Sequence, residues 1–315
     1  MSVSTEFDHA LRIAVILPCY NEAGAIRQTV EDFRAALPTA TVYVFDNNSK
    51  DDTIAVAQAA GAVVRTVRQQ GKGHVVRRMF ADVDADIYVM ADGDATYEAA
   101  AAPRMVAAML AENLDMVVGA RKSEVEAAYR AGHRLGNALL TGLLQQLFGR
   151  SFTDILSGYR IFSRRFVKSF PVLSAGFEIE TEISVHALEL GMPIAEEVTA
   201  YAARPEGSVS KLSTYRDGWR ILWTMMKLYR IERPVAFFGL IGFALLLAAL
   251  VLSIPLLLTY LETGLVPRLP TAVLLTGMVV LATLNFMSGL ILDTVTRGRQ
   301  EMKRLAYLSH RAPNP

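Results

Sequence analysis

The stretch "DIYVMADGDATYE", residues 86–98, runs from an apolar segment into two aspartates separated by one glycine. Two carboxylates gathered at the end of a buried run repel each other unless a positive charge lies between them. If the backbone stays extended, Asp92 and Asp94 point the same way, and hard oxygen ligands in that pattern suit Mg²⁺ or Mn²⁺ bridging phosphate oxygens. Taken alone, the tripeptide reads equally well as an Asp-Gly turn with solvated side chains. Its place after an apolar run favours the cation.

Outward from this stretch, residues 11 to about 204 alternate short apolar runs with longer amphipathic ones. "RIAVILP" precedes a helical pattern over 22–37, "TVYVFD" one over 51–60, and "AVVRTV" one over 74–82. After the diaspartate come a helix near 103–112, the strand "DMVVGAR" and a helix over 133–148. This order predicts an α/β fold, a Rossmann-like, mostly parallel sheet with helices on both faces. Ligands of such sheets bind beyond the carboxyl ends of the strands. The clusters "CYNE", "DNNS", "DGD" and "GAR" each end a predicted strand, so all four are expected on one rim. No G-x-G-x-x-G follows the first strand, which argues against a nicotinamide or flavin site and leaves a nucleotide with a metal.

The composition is uneven. Over 315 residues the chain is 52% hydrophobic with a net charge of +1, and nothing in that balance calls for a nucleic-acid partner. The single cysteine, Cys19, forms no internal disulfide and fits a reducing compartment as a small buried residue. Glu6 and Asp8 before a short apolar run do not make a signal peptide, so the front of the chain is expected in the cytoplasm. Pro234 to Leu261 and Leu269 to Leu292 are uncharged and longer than the roughly 20 residues a bilayer-crossing helix needs. "FALLLAALVLSIPLLL" is apolar all round, unlike a helix buried by one stripe. Lys227, Arg230 and Arg233 precede the first span and Arg297, Arg299, Lys303 and Arg304 follow the second, which places both termini in the cytoplasm. Between sheet and span, Trp219, Leu222, Trp223, Met226 and Tyr229 share one helical side opposite Arg216, Arg220, Lys227 and Arg230, the pattern of a helix lying in the headgroup layer. The expected divisions are a catalytic domain over 1–213, an interfacial amphipathic helix over 214–233, a two-helix transmembrane hairpin over 234–293 and a basic cytoplasmic tail over 294–315. Gly277 and Gly289 offer close-approach points for a homo-oligomer.

Together "ILPCYNEAGAI", "FDNNSKDDT", "GKG", "YVMADGDATYE", "GAR" and "DILSGYRIFSRR" resemble the second family of glycosyltransferases, with its GT-A fold. Within it, the chain is similar to the branch that moves a sugar from a nucleotide to a polyprenyl phosphate, and the two-span tail matches bacterial members acting on undecaprenyl phosphate. The resemblance covers residues 11 to 213. It implies a multi-pass protein of the inner (cytoplasmic) membrane and a nucleotide sugar as donor, with UDP favoured over GDP. By resemblance Pro18, Tyr20, Asn21 and Glu22 line the nucleoside pocket, Asp46 faces the base or ribose, and Asp92 and Asp94 carry the metal. Lys72 lies near the diphosphate, as its chemistry also allows; it reads nearly as well as an exposed turn lysine. Arg204 and Lys211, in a Gly- and Ser-rich stretch with Ser208 and Ser210, match a lid over the donor. Arg121 and Arg134, with Arg160 as a further candidate, match the acceptor-phosphate residues, and Arg134 at a helix start suits an anion at that terminus. A surface salt bridge with Glu124 or Glu126 is the plain alternative for Arg134. Two departures stand out: "DNNS" replaces the common "DDGS", and "DATYE" replaces "DLQDPP". Glu178, Glu180 and Glu182 lie where hydroxyl-using relatives keep a base, and read as a charged first helical turn. The rival readings are a processive polysaccharide synthase, whose Q-x-x-R-W motif "RDGWR" does not match, and a non-catalytic membrane scaffold.

Overall fold

A computed structural model describes residues 11–122, 142, 153–176, 178–202, 223 and 226–313. The described residues fall into two compact units, Met1–Ile221 with Lys303–Pro315, and Leu222–Met302.

In the first unit β1 (Ile13–Cys19), α1 (Ile26–Ala36), β2 (Thr41–Asp46), α2 (Thr53–Ala59), β3 (Val63–Thr66), α3 (Lys72–Asp82) and β4 (Ile87–Met90) alternate as the hydrophobic pattern predicts. A short 3₁₀ turn leads into α4 (Ala102–Ala111), then β5 (Met116–Lys122), β6 (Arg160–Ser163), α5 (Arg164–Ser169), α6 (Ile179–Leu190) and β7 (Ile194–Ala200). The sheet order is β3-β2-β1-β4-β6-β5-β7. All pairs are parallel except those of β6, which runs antiparallel to both β4 and β5. The sheet is therefore mixed around one inserted strand.

Side chains alternate across the sheet as strand geometry requires. Ile13, Val15 and Leu17 of β1 and Ile87 and Val89 of β4 join Ile26, Val30 and Phe33 of α1 and Met105, Val106 and Met109 of α4 in one core layer. On the other face an aromatic layer forms. Phe80 of α3 lies edge-on to Tyr88 and Phe162, and Phe166 stacks on Phe162 with centroids 4.8 Å apart. Burial of each such side chain stabilises the fold by roughly 1.5–3 kcal/mol. Asp115, before β5, is fully buried and accepts from Ser163 Oγ, Arg165 and, at 2.8 Å, Tyr307 Oη. Lys303 pairs with the enclosed carboxylate of Glu189 at 2.6 Å, so the residues after Met302 form part of this unit.

The second unit holds α7 (Pro234–Thr263), of 30 residues, and the part of the 40-residue α8 (Leu269–Leu308) up to Met302. At 1.5 Å per residue the shorter helix is roughly 45 Å long, enough to cross a bilayer core of about 30 Å. Leu246, Leu250, Leu257, Leu284 and Leu290 are exposed along them. The two approach at small residues. A Cβ on Gly242 would stand 3.0 Å from the Ala282 carbonyl, and one on Gly289 3.3 Å from Val235 Cα. Gly289 thus serves packing inside the hairpin, while nothing lies within 4 Å of a Cβ on Gly277. The second apolar helix continues past its uncharged stretch through Arg297 and Arg304 to Leu308. Of the expected interfacial helix, Trp223 and residues 226–232 are helical, with Trp223 and Met226 exposed; Arg216, Trp219, Arg220 and Leu222 lie outside the described residues.

Candidate functional site

The carboxyl ends of β1, β2, β4 and β5 meet on one rim, as the four polar clusters predict. Asn21, Asn48 and Ala95, in the loops after β1, β2 and β4, all have positive φ of 53°, 63° and 56°. Non-glycine residues in this region store strain, which concentrates at functional sites. Cys19 sits buried at the centre of the rim. Burial, and then the charges of Glu22, Asp46, Asp92 and Asp94, hold its thiol in the protonated form.

The first rim loop is clamped by the second. Asn21 N–H donates to Ser49 Oγ, Lys50 N–H to Asn21 Oδ1, and Glu22 N–H to Thr53 Oγ1. Asp46 is wholly buried at the end of β2; its Oδ2 accepts from Ser49 N–H at 3.1 Å, whereas Oδ1 has no hydrogen-bond partner among the described residues. Pro18 and Tyr20 flank Cys19 at the same edge, both half-buried.

"DNNS" proves to be a structural substitution with a purpose. Asn47 donates to the carbonyls of Val67 and Gln69 and accepts from Gly71 N–H at 2.7 Å, so the loop that carries Lys72 hangs from one buried amide. An aspartate there would lack the donor that two carbonyls require. Gly71 has φ 130°, and a Cβ on it would stand 2.2 Å from the Ala175 carbonyl oxygen. This glycine is fixed by both conformation and space.

Lys72 is not an exposed turn lysine. Its Nζ lies 2.5 Å from Asp92 Oδ1 and 2.6 Å from Glu180 Oε1, with only 9% of the side chain exposed. Burial alone would lower its pKa, but the charges of Asp92 and Glu180 outweigh that and raise it above the ordinary lysine value. Gly158 closes over this pair; a Cβ on it would fall 2.8 Å from Asp92 Oδ2 and 3.2 Å from Lys72 Nζ. Asp94 is buried, its Oδ1 accepting from Thr96 Oγ1 at 2.6 Å and Thr96 N–H at 3.3 Å. The strand ends at Met90, so the two acids stand on a loop and not on an extended edge. Asp92 faces Lys72, and Asp94 is held by its own loop.

Arg121 forms a two-pronged pair with Asp154, Nε to Oδ2 at 2.7 Å and Nη2 to Oδ1 at 2.8 Å, and lies over the Tyr201 ring. Asp154 heads the loop that ends in Gly158 and Arg160, so this loop links the two charged centres of the rim. Arg160 departs from the expected acceptor role. It is fully buried and donates to the carbonyls of Ser157 and Ile155 and to Ser184 Oγ. Burial pushes its pKa down to about 10 against the opposing charges of Glu180 and Asp154. No surface of this guanidinium faces solvent, and its bonds brace the loop from below. Arg134, Arg204, Lys211, Ser208 and Ser210 lie outside the described residues.

Of the three glutamates at the start of α6, Glu180 and Glu182 stand in its first turn, as expected, and Glu178 just before it. Glu180 also pairs with Lys72, Glu182 accepts from Leu173 N–H and Ser174 N–H, and Glu178 Oε2 is buried without a hydrogen-bond partner among the described residues. Asn47, Asp154 and Gly158 are rim residues that the sequence left without a role, and the pairing of Glu180 with Lys72 was not visible in it. Among the described residues no cluster of three or more His, Cys, Asp and Glu converges as a metal cage. An acidic pair on this rim instead suits a hard cation that takes its remaining ligands from substrate oxygens and water, the usual mode of Mg²⁺. The ammonium already seated on Asp92 shows that this carboxylate accepts a cation.

Residues 14–170 match the family described as "Glycosyl transferase family 2". Glycosyltransferase AglJ of Haloferax volcanii is 33% identical over 301 residues, covering 94% of this chain and 98% of that protein. Protein RfbJ of Shigella flexneri is 56% identical over 127 residues, 40% of this chain and 98% of its own. Undecaprenyl-phosphate mannosyltransferase of Micrococcus luteus is 25% identical over 219 residues, 64% of this chain and 88% of its own. Among solved structures, glucosyl-3-phosphoglycerate synthase of Mycobacterium tuberculosis with Mn²⁺, UDP and product superposes with a TM-score of 0.55 at 23% identity over 69% of this chain and 80% of that one, a likeness of fold. The chain belongs to glycosyl transferase family 2, and it is a glycosyltransferase.

Proposed function

We propose that this protein moves a hexose from a nucleoside diphosphate sugar, UDP in preference to GDP, onto the phosphate of a polyprenyl lipid such as undecaprenyl phosphate, with inversion at the anomeric carbon. The observation that carries this reading is a rim where Lys72 pairs with Asp92, with Asp94 two residues further along the same loop, in a chain whose two apolar helices are long enough to cross a bilayer. The similarity to an undecaprenyl-phosphate mannosyltransferase supports the lipid acceptor. The preference for UDP rests on resemblance to bacterial glucosyltransferases.

In this reading Asp46 Oδ1, an acceptor lacking a partner among the described residues, receives an N–H or O–H of the nucleoside beside Pro18, Tyr20, Asn21 and Glu22. Lys72 faces the diphosphate. Mg²⁺ or Mn²⁺ held by Asp92 and Asp94 would neutralise the departing diphosphate. A lipid phosphate oxygen forms the new bond to the anomeric carbon as the bond to the nucleoside diphosphate breaks, the leaving group keeping the electron pair. A phosphate is already ionised at neutral pH, so no general base is required. Arg121 and Arg134 hold the acceptor phosphate, and at Arg121 that phosphate must share the guanidinium with Asp154 or displace it. Arg204 and Lys211 belong to a lid that excludes water from the donor. The positive residues around both spans support a topology with the catalytic domain and both termini on the cytoplasmic side of the inner membrane.

Purified full-length protein incubated with undecaprenyl phosphate and a panel of labelled UDP- and GDP-sugars is expected to move label into the organic phase, and EDTA should stop it. Label in a water-soluble polymer would indicate a processive synthase instead. Absence of transfer with every donor would favour a scaffold.

A further inference from the structure

Glu180 is a carboxylate of the rim that no feature of the transfer reaction requires, yet it is enclosed more completely than Asp92. Its side chain is 6% exposed against 30% for Asp92, and it approaches Lys72 as closely as Asp92 does. Water screens such a group little, so its charge acts at close to full strength on whatever lies beside it. If Lys72 faced Asp92 alone, the ammonium would cancel the negative charge that a metal needs at that carboxylate. If Lys72 were absent, Asp92 and Glu180 would face the donor diphosphate with no ammonium between them.

We propose that Glu180 is a positioning residue of the donor site: it neutralises and anchors the Lys72 ammonium, leaving Asp92 its negative charge for a divalent cation while Lys72 stays aimed at the diphosphate. The local structure is built for this. Glu180 sits in the first turn of α6, where the helix dipole favours an anion, and Lys72 opens α3 directly after the constrained Gly71. The loop between them is tied from both sides, since Glu182 of α6 accepts from Leu173 and Ser174 N–H while Gly73 N–H of α3 donates to the Ala175 carbonyl. The two helices therefore hold ammonium and carboxylate in register through a common strap. Lys72 faces Asp92, Glu180, Tyr97 and the backbone of Gly158, so the charge balance at the cation site is set by the first two.

The inference rests on the donor-site reading given above, and binding measurements on the full chain in detergent, with no lipid present, separate the two. Mn²⁺ alone and UDP alone are titrated calorimetrically. Glu180→Gln should weaken Mn²⁺ by about 10- to 100-fold, the range seen when a group supporting a metal ligand is lost, while UDP without metal binds as well as to the wild type or better. Lys72→Met should do the reverse, tightening Mn²⁺ and weakening UDP. The double variant should return Mn²⁺ affinity to near the wild-type value. A merely structural role would weaken both ligands together in Glu180→Gln, and that result, or no change in either, overturns the inference. If Glu180→Gln does not fold, Lys72→Met decides, because a loss of Mn²⁺ affinity in it contradicts the scheme. Wild-type protein that binds neither ligand sinks the donor-site reading and this inference with it.

Discussion

Replacing Asp94 by asparagine is expected to lower sugar transfer by roughly 10²- to 10³-fold, the loss typical when one partner of a developing charge is removed. Asparagine keeps an oxygen for Thr96, which now supplies both a hydroxyl and an N–H to Asp94 Oδ1, so the loop should retain its shape while the charge disappears. Asp92→Asn is expected to act in the same direction. There Lys72 retains Glu180 as its partner at 2.6 Å, and the fold should melt close to the wild-type temperature. In both variants the residual rate should lose much of its response to added Mg²⁺ or Mn²⁺. The check is initial rate against metal concentration for each protein, alongside a melting curve. Unchanged transfer in either variant removes its aspartate from the site.

The second large effect is on stability. Arg160 is enclosed on every side and donates to two carbonyls and a hydroxyl. Arg160→Met keeps much of the apolar stem but leaves these acceptors without a donor, at about 1–3 kcal/mol for each buried group. A total loss of about 3 kcal/mol or more corresponds to roughly 6–12 °C in melting temperature for a unit of this size. Transfer should fall as well, because the loop braced by Arg160 carries Asp154 to Arg121 and Gly158 to Asp92. An acceptor-binding arginine would behave differently, raising KM for the lipid while the melting temperature stayed constant.

Much of the fold is legible in the sequence because its strands and helices have clean periods. "TVYVFD" became β2 residue for residue, and the helices α1 to α4 start within four residues and end within one residue of the expected positions. The antiparallel strand β6 was not legible. It is four residues long and follows a polar loop, and its motif "SGYRIFSRR" reads as a row of cations. The pairing that turns Arg160 inward depends on β4 and β5 on either side, which no local pattern reveals.

The site was legible by residue type at the strand ends and illegible wherever charge is matched across distance. Asp92 and Lys72 are 20 positions apart and Glu180 a further 88 beyond Asp92, so nothing local shows that one ammonium serves two carboxylates. Asn47 looked like a lost acid; only the carbonyls of Val67 and Gln69 explain why an amide stands there. Arg121, by contrast, was correctly expected at the end of β5, but its partner Asp154 comes from the far side of the inserted segment.

The central claim is that Asp92 and Asp94 hold a divalent cation on the diphosphate of a nucleotide sugar. Its most direct test is a crystal of the full chain grown with Mn²⁺ and UDP, with anomalous scattering recorded at the manganese edge. The expected result is one strong peak within about 2.0–2.3 Å of a carboxylate oxygen of Asp92 or Asp94 and of the UDP phosphates. A peak away from both aspartates, or UDP bound on this rim with no manganese beside it, would contradict the account.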